Sequence, residues 1–351
     1  MNIQDLIRPH IRDLMPYSSA RDEYSGKVGV FLDANDNPLG SVGGGRYERY
    51  PDPHQRAIKE RLAEIKGVRP AQIFIGNGSD EAIDLLFRTF CEAGQDHILL
   101  NPPTYGMYKV SAEINGIEIQ SSNLTLDYQL DMAALGERLV TEPKLTFLCS
   151  PNNPTGNLLR REDIISVLEQ SNGLVIVDEA YIDFAPEATL LPLLDQYPNL
   201  VVLQTFSKAW GMAGLRCGMA FGHPEVIAAM NRIKPPYNVN QLTQEAVLHA
   251  LGKLEEKETM VAEILVARSS LIEALAALEI VEHIFPTDAN FVLIKVADPN
   301  AIYQALIEQQ IIIRNRSKVV LCEGCLRITI GSKAENEQLI NAMRGLAKTI
   351  A

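Results

Sequence analysis

The sequence predicts an α/β protein with two domains, a larger one on a mostly parallel central sheet flanked by helices and a smaller one of the α+β type. Between residues 73 and 204, short apolar runs alternate with amphipathic helical patterns, which is typical of a parallel sheet with helical crossovers. After Pro235-Pro236 the pattern changes to long helices followed by isolated strands. The length of 351 residues is also enough for about two domains.

The larger unit follows a loop-like segment rich in Gly and Pro, from Leu39 to Pro53. Its predicted strands are runs of Ile, Val, Leu and Phe, and its predicted helices carry apolar residues at helical spacing. In chain order these elements are strand Ile73–Ile75, helix Ser79–Phe90, strand His97–Leu100, helix Tyr105–Ile114, strand Leu145–Cys149, helix Arg161–Gln170, strand Leu174–Val177 and strand Leu200–Gln204.

The smaller unit is predicted from the same periodicities. We expect the larger domain to span residues 41–237 and the smaller one residues 238–351. Residues 1–40 are too few for a domain, and we expect them to pack with the smaller one. Its predicted elements are helices Gln241–Leu251 and Glu255–Leu278, strand Phe291–Lys295, helix Asn300–Gln309, and strands Ile311–Arg314 and Leu326–Ile330.

Composition excludes several classes of protein. A hydrophobic content of 46% with 22% charged residues is that of a globular protein and not of a disordered chain. The net charge of −12 would repel a nucleic acid or an anionic membrane, although a small anionic ligand can still bind at a few placed cations. No apolar run approaches the roughly 18 residues of a membrane span, and charged residues occupy the N-terminus where a signal peptide would be apolar. We therefore expect a cytoplasmic protein.

The cysteines and histidines indicate no metal site. Five scattered cysteines fit a reducing compartment. Cys322 and Cys325 form a single C-x-x-C without a second pair, and the six histidines have no ligand spacing.

The first motif, Gly76-Asn77-Gly78, follows a predicted strand and opens a predicted helix. A dinucleotide fingerprint would be placed in this way, but Glu81 occupies its third glycine position and argues against NAD. The turn can still bind an anion, since Gly78 allows close backbone approach, Ser79 can cap the helix, and its N–H groups and dipole favour a phosphate. A plain capped helix explains the same residues equally well.

Two further motifs follow predicted strands. Residues Ser150 to Gly156, Ser-Pro-Asn-Asn-Pro-Thr-Gly, place amides and a hydroxyl where ligands bind in open α/β sheets, although a simple turn has the same composition. Asp178 ends an apolar run, so burial of its charge requires a cation or a strong donor as partner. Helix capping is the structural alternative for this aspartate.

The segment from Thr205 to Gly218 is the most informative. It combines two hydroxyls, Lys208 and Arg216 among small residues. Phe206, Ala209 and Trp210 form an apolar setting that would lower the pKa of Lys208 and make it a usable amine nucleophile, whereas Arg216 offers the fork that suits a phosphate.

Together these groups describe one cofactor. A lysine for a Schiff base, an acid for a pyridinium nitrogen, and an arginine with hydroxyls and a helix N-terminus for a phosphate match pyridoxal 5'-phosphate.

The order of these motifs resembles that of the fold-type I, class II aminotransferases. The motifs Asn-Asn-Pro-Thr-Gly, Asp-Glu-Ala-Tyr and Ser-Lys-Ala-x-x-x-Ala-Gly-Leu-Arg-Cys-Gly carry the resemblance, and it covers nearly the whole chain. It also includes Leu32–Leu39, Arg49–Pro51, Pro102–Tyr108 and Cys325–Thr329.

The resemblance implies a role for each matching residue. It implies that Lys208 is the Schiff-base lysine, that Asp178 partners the pyridine nitrogen, and that Asn153 and Tyr181 donate to the ring hydroxyl. Tyr105 is similar to the residue that stacks on the ring. The cofactor phosphate would be held by Gly78, Ser79, Asp80, Thr205, Ser207 and Arg216, with Tyr50 reaching it from the partner subunit of a homodimer.

On the substrate side, Arg327 matches the family arginine that meets the acidic group of the substrate. Arg314, Tyr17 and Asn35 match neighbouring positions, although the Asn-Arg-Ser sequence after Arg314 leaves the alignment loose around Arg316. A surface role is the alternative for such an arginine.

The motifs Pro102–Tyr108 and Cys325–Thr329 resemble those of family members that transfer an amino group between histidinol phosphate and 2-oxoglutarate in histidine biosynthesis. An aromatic aminotransferase or an amino-acid-phosphate decarboxylase would share every cofactor residue. A cofactor-sensing regulator is disfavoured by the acidic chain and by the short stretch before Asn35, too short for a helix-turn-helix with a linker.

Overall fold

A seven-stranded sheet forms the centre of the larger unit. The structure, a computed structural model, describes residues 2–18 and 29–350. The strand order is β1-β7-β6-β5-β4-β2-β3, and β7 alone runs antiparallel to its neighbours. The strands are β1 Ile73–Gly76, β2 His97–Leu100, β3 Glu118–Ser121, β4 Leu145–Cys149, β5 Leu174–Asp178, β6 Leu200–Thr205 and β7 Gly218–Gly222.

Helices cover both faces of this sheet and build most of the smaller unit. In chain order they are α1 Ile3–Leu6, α2 Pro9–Arg12, α3 Arg56–Lys66, α4 Gly78–Phe90, α5 Met107–Ile114, α6 Met132–Leu139, α7 Arg161–Gln170, α8 Pro224–Ile233, α9 Gln241–Leu251, α10 Leu254–Ala276, α11 Pro299–Glu308 and α12 Lys333–Ile350.

The mostly parallel sheet with helical layers confirms the predicted fold class. Strands buried on both faces read as continuous apolar runs, and this signal located β2, β4, β5 and β6. Two strands were not predicted from the sequence: β3, which is a polar edge strand, and β7, whose Gly-Met-Ala-Phe-Gly sequence lacks the usual strand composition.

Alternate residues of each strand enter different cores. Ile75 and Val177 pack on one face of the large sheet, whereas Phe74 and Ile176 pack on the other. The first of these cores continues into Phe291 of the smaller unit, so the two units share apolar packing.

The smaller unit contains an antiparallel sheet in the order β10-β11-β9-β8. Its strands are β8 Val281–Ile284, β9 Phe291–Val296, β10 Arg314–Asn315 and β11 Cys325–Thr329. The predicted strand Ile311–Arg314 was therefore placed too early in the chain. Only two residues pair there, because β10 is an edge strand that meets β11 at Arg314 and Asn315.

The N-terminal segment does not pack where the sequence analysis expected. Ile3 and Ile7 are buried in the core beneath the large sheet, and Arg8 forms an ion pair with Glu92 at 2.9 Å. Arg232 of α8 donates to the carbonyl oxygen of Ile11 at 2.9 Å. Residues 2–14 thus belong to the larger unit, because their apolar side chains pack against α4 and α8.

This attachment predicts that Ile7→Ala destabilises the protein. Ile7 is buried, so its truncation should cost about 2 to 4 kcal/mol and lower the melting temperature. Leu14→Ala is the matched control, because Leu14 is 42% exposed and should change little. Equal melting temperatures for the two variants would contradict the packing described here.

Candidate active site

One cavity of about 600 Å³ lies at the carboxyl ends of β4, β5 and β6, where ligands bind in open α/β sheets. The N-terminus of α4 and the edge of the smaller sheet complete its wall. It brings together thirteen of the residues singled out in the sequence, namely Gly78, Ser79, Asp80, Tyr105, Asn153, Asp178, Tyr181, Thr205, Ser207, Lys208, Arg216, Arg314 and Arg327.

Asp178 is the last residue of β5 and is only 2% exposed. The hydroxyl of Tyr108 donates to Oδ2 at 2.7 Å, and the backbone N–H of Ala180 donates to Oδ1 at 3.0 Å. Burial raises the pKa of Asp178 to about 6, against the opposing effect of these two hydrogen bonds. The buried carboxyl therefore has the strong donor that the sequence argument required.

Tyr108, the source of that donor, was not identified as functional from the sequence. Its ring is fully buried and stacks on Phe147 at 4.7 Å between centroids, while Tyr105 meets it edge-on at 5.5 Å. Tyr108 lies in the quoted Pro102–Tyr108 motif, which is the only signal that could have revealed it. Packing thus fixes the donor against Asp178.

Lys208 extends into the cavity, with Nζ 5.4 Å from the centre of the Tyr181 ring. In the described part of the chain no hydrogen bond or ion pair holds its ammonium group. Partial burial and the positive charges of Arg327 and Arg216 lower its pKa. The direction agrees with the sequence argument, but part of the effect comes from Arg327 on the distant strand β11, and the flanking Phe206 and Trp210 instead contact each other within the core.

The N-terminus of α4 forms one wall of the cavity. The helix begins at Gly78, and its cap residue Asn77 makes no side-chain capping bond. Ser79 was expected to cap this helix but lies within its first turn, where it lines the cavity, and no side chain among the described residues accepts from its N–H. Unpaired N–H groups at a helix start form an anion site.

Glu81 explains why the turn is not a dinucleotide fingerprint. Its carboxylate accepts from the N–H of Asn77 and, at 3.1 Å, from the side chain of Asn238. The acid at the third glycine position therefore stabilises the turn.

Donors from the 205–216 segment face this helix start. The Thr205 hydroxyl donates to the Ser207 hydroxyl at 3.0 Å. Arg216 lies opposite, with Nη2 3.2 Å from a carboxylate oxygen of Asp80, and the other Asp80 oxygen accepts from the Tyr105 hydroxyl at 3.2 Å. Arg216 adopts a left-handed conformation at φ +50°, which directs the chain into β7.

Two glycines keep this corner open. A Cβ at Gly78 would lie 2.9 Å from Nη2 of Arg216, and one at Gly218 would lie 2.3 Å from the backbone nitrogen of Ser79. A side chain at either position would displace the helix start or the arginine.

Tyr181, Asn153 and Arg327 form a connected group across the cavity from α4. The Asn153 amide donates to the Tyr181 hydroxyl at 3.3 Å, and its Oδ1 accepts from Nη1 of Arg327. The Arg327 guanidinium also lies 5.1 Å from the centre of the Phe291 ring. Arg327 is therefore held in place by both units of the protein.

Three of the predicted site residues lie elsewhere in the single chain. Tyr50 stacks on Tyr237 at 4.4 Å, and Asn35 lies near it at the edge of a second surface pocket. Tyr17 is 76% exposed. None of the three lines the cavity that contains Lys208.

The described residues contain neither a metal-binding cluster nor a membrane-spanning helix. Among residues 2–18 and 29–350, no cluster of three or more His, Cys, Asp and Glu side chains could hold a metal ion. No helix in those ranges is long and apolar enough to cross a membrane.

A family model described as aminotransferase class I and II matches residues 30–343. The match includes every residue that lines the cavity. The fold and the site thus define a transaminase.

Proteins of similar sequence identify a narrower family within the aminotransferases. Histidinol-phosphate aminotransferase of Cytophaga hutchinsonii is 52% identical over 343 residues, which cover 98% of this chain and 99% of that protein. The enzyme of that name from Bacteroides fragilis is 51% identical and covers 97% of this chain and 98% of its own length. The chain belongs to the class I and II aminotransferases and, among them, to the histidinol-phosphate aminotransferases.

Solved structures share the fold. Histidinol-phosphate aminotransferase from Sinorhizobium meliloti, in complex with pyridoxal-5'-phosphate, has a TM-score of 0.81 at 24% identity, with 98% of each chain covered. A protein described as a putative histidinol-phosphate aminotransferase from Erwinia carotovora atroseptica has a TM-score of 0.79 at 26% identity, with 90% of this chain and 95% of that one covered.

The cofactor of the enzyme is pyridoxal 5'-phosphate. The cavity fits this molecule on its own geometry. It offers a buried carboxyl at Asp178, an amine without a partner at Lys208, and an anion cradle between α4 and Arg216 that a Cβ at Gly78 or Gly218 would obstruct.

The cradle predicts that Gly218→Ala weakens cofactor binding at least tenfold, because the new Cβ must displace the first turn of α4. Gly222→Ala is the matched control on the same strand, where the nearest atoms lie 3.6 Å away. Titration of each apoenzyme with cofactor, followed by absorbance, measures the dissociation constants. Equal constants would show that the helix start does not hold the phosphate.

The raised pKa of Asp178 predicts a pH-dependent gain in stability for the Asp178→Asn apoenzyme. Asn mimics the protonated acid, so it avoids the cost of a buried charge. In the wild type, an acid whose pKa is raised by folding contributes its full stability below the unfolded pKa of about 3.8. That contribution falls as the pH rises and is lost once the pH passes the folded pKa of about 6. The advantage of Asn should therefore grow up to about pH 7 and then level off near 3 kcal/mol.

Thermal unfolding of the two apoenzymes between pH 5 and 8 measures this difference. In a Tyr108→Phe background the wild-type acid loses a donor to its charged form, so the fall in stability should extend to higher pH. A pH-independent difference would show that the carboxyl is already charged throughout this range.

Proposed function

We propose that the enzyme interconverts L-histidinol phosphate and 2-oxoglutarate with imidazole-acetol phosphate and L-glutamate, a reaction of histidine biosynthesis. The relatives with this name match the chain at about 50% identity over almost its whole length. The structural observation that carries the proposal is the arginine-rich wall opposite Lys208, since both acidic substrates need cations there.

We propose that the residues of the cavity hold the cofactor by its three polar ends. Asp178 binds the ring nitrogen, and Asn153 and Tyr181 donate toward the ring hydroxyl. Tyr105 lies beside them, where its ring can cover the cofactor. The phosphate is held by the residues of the cradle, namely Gly78, Ser79, Asp80, Thr205, Ser207 and Arg216.

When bound, the cofactor supplies an aldehyde that condenses with amines and a ring that withdraws electrons from the substrate carbon. Asp178 acts on this ring through its charge. Its carboxylate, buried and held by Tyr108, keeps the proton on the ring nitrogen and so maintains the ring as an electron acceptor.

Lys208 moves the proton at the substrate carbon. Partial burial and neighbouring cations lower its pKa, so more of its amine is neutral near pH 7 and can accept a proton. The same Nζ then returns the proton at the adjacent position. Tyr181, whose ring centre lies 5.4 Å from Nζ, limits how far the amine can move.

Arg327 is proposed to meet the acidic group of either substrate. Asn153 holds one of its terminal nitrogens, and its Nε is buried without a hydrogen-bond partner in the described residues. Arg314 lies directly opposite Arg327 in the pairing of β10 with β11. Together they offer an acceptor site for a phosphate or a carboxylate.

We propose a homodimer whose active sites are shared between subunits. Tyr50, Asn35 and Tyr17 lie outside the cavity of their own chain, so they can act only in a neighbouring one. The segment that carries them exposes large apolar side chains, among them Val30 at 88% and Leu32 at 88%. Such a patch is typical of an interface.

Two further proposals concern the whole protein. We propose that it acts in the cytoplasm, supported by the five cysteines, which are buried and unpaired. We also propose the domain boundary at residues 237 and 238, supported by the positions of the two sheets.

The substrate assignment is tested by initial rates on four amino donors. Histidinol phosphate should react with a kcat/KM at least a hundredfold above that of histidinol, because only the phosphate engages the arginines. Phenylalanine and threonine phosphate should be poorer still. Equal rates on histidinol and histidinol phosphate would favour an aromatic aminotransferase. Release of carbon dioxide from threonine phosphate would favour the decarboxylase.

The shared site is tested with heterodimers that carry Tyr50→Phe on one chain and Lys208→Ala on the other. If Tyr50 serves the neighbouring site, both lesions fall in one site and the other stays intact. The heterodimer should then match a control of wild type with Lys208→Ala, at about half of the wild-type activity. Activity well below that control, or a fully active monomer in sedimentation, would contradict the arrangement.

A further inference from the structure

Arg316 lies on the same face of the smaller sheet as Arg314 and Arg327. In the antiparallel pairing of β10 with β11, Arg314 is opposite Arg327, and the N–H of Arg316 donates to the carbonyl oxygen of Cys325 at 2.9 Å. Residues two apart along a strand point to one face. The Arg-Asn-Arg sequence therefore directs both of its arginines to the side that Arg327 occupies.

All three arginines line the cavity that contains Lys208. Arg316 is partly buried there, and its Nε is buried without a hydrogen-bond partner in the described residues. Burial raises the pKa of Tyr181, and the nearby charge of Arg316 opposes that rise. The guanidinium thus points inward, toward the end of the cavity that Arg327 also faces.

The described residues supply no counter-charge to the arginine cluster. Within residues 2–18 and 29–350, no carboxylate lies within 4 Å of Arg314, Arg316 or Arg327. Burial and the charge of Arg314 lower the pKa of Arg316, and burial together with both neighbours lowers the pKa of Arg327. A partly buried guanidinium with a buried, unpaired Nε and no nearby carboxylate is costly unless a ligand supplies the missing acceptor and charge.

The two acidic substrates differ in what they can supply. A phosphate monoester brings nearly two negative charges and three acceptor oxygens at neutral pH, whereas a carboxylate brings one charge and two oxygens. Arg327 with one neighbour is enough for a carboxylate. A third guanidinium finds a full set of acceptors only when the ligand is a phosphate.

We propose that Arg316 is a specificity-determining residue that binds the phosphate of the amino substrate and is dispensable for the carboxylate of 2-oxoglutarate. This inference rests on the proposed function and assigns a third cation to its substrate site. The Nε of Arg316 donates to a phosphate oxygen, and Arg327 binds the same group from the other side of the cluster.

The test compares Arg316→Gln and Arg316→Lys with Lys318→Gln in the holoenzyme. Lys318 is exposed on the same loop and does not line the cavity, so its variant removes one positive charge without touching the site. The two half-reactions, with histidinol phosphate and then with 2-oxoglutarate, are followed separately by cofactor absorbance. Inhibition by inorganic phosphate and the melting temperature are measured for each variant.

Loss of a hydrogen bond to a charged group corresponds to roughly a 10- to 100-fold change in affinity. Arg316→Gln should therefore raise the KM for histidinol phosphate by about that factor and weaken inhibition by inorganic phosphate to a similar degree. Its kcat and its KM for 2-oxoglutarate should stay within about threefold of wild type. Arg316→Lys should recover part of the loss, because a point charge remains without the fork. Lys318→Gln should resemble wild type throughout.

Three results would overturn the inference. Arg316→Gln could match Lys318→Gln on both substrates, which would exclude a phosphate contact. It could impair both half-reactions equally together with a lower melting temperature, which would make the residue structural. If the wild type itself used histidinol as well as histidinol phosphate, the proposed function would fail first, and the wild-type rates alone would reveal this.

Discussion

The burial of one carboxyl group organises the centre of this protein. Asp178 ends β5 in the middle of the large sheet, where water is excluded and a charge is costly. Tyr108 and the N–H of Ala180 offset that cost from the two sides of the strand end. Tyr108 in turn requires Phe147 beneath its ring and α5 behind it. The packing of the sheet and the helix therefore sets the pKa of the carboxyl at the end of β5.

The charged residues that line the cavity are mostly positive, whereas the whole chain carries a negative net charge. The chain carries a net charge of −12, yet the cavity is lined by a lysine and four arginines and by only two acidic residues. Asp80, one of those acids, is partly neutralised by Arg216 and also accepts a hydrogen bond from the Tyr105 hydroxyl. Anionic ligands thus bind by nearby donors and not by the average potential.

Each unit of the protein contributes one part of the chemistry. The large sheet and α4 supply the cofactor cradle and Lys208, whereas β10 and β11 supply the arginines that face it. Contacts from Asn153 and Phe291 to Arg327 bridge these parts, and the shared core continues beneath them. A change in the relative position of the two sheets would alter the distance between the amine and the arginines.

Much of this could be predicted from the sequence. Apolar runs located the buried parallel strands, and the residues that follow them, Asp178, Thr205 and Lys208, were recognised because strand ends gather at one edge of a sheet. The N-terminal segment, the short strand β10, and the roles of Tyr108 and Arg316 were not found in this way. Local periodicity carries no information on which distant segments meet. Only the tertiary structure decided that Tyr108 meets Asp178 and that Arg316 shares a face with Arg327, because strand order, helix packing and antiparallel register determine those contacts.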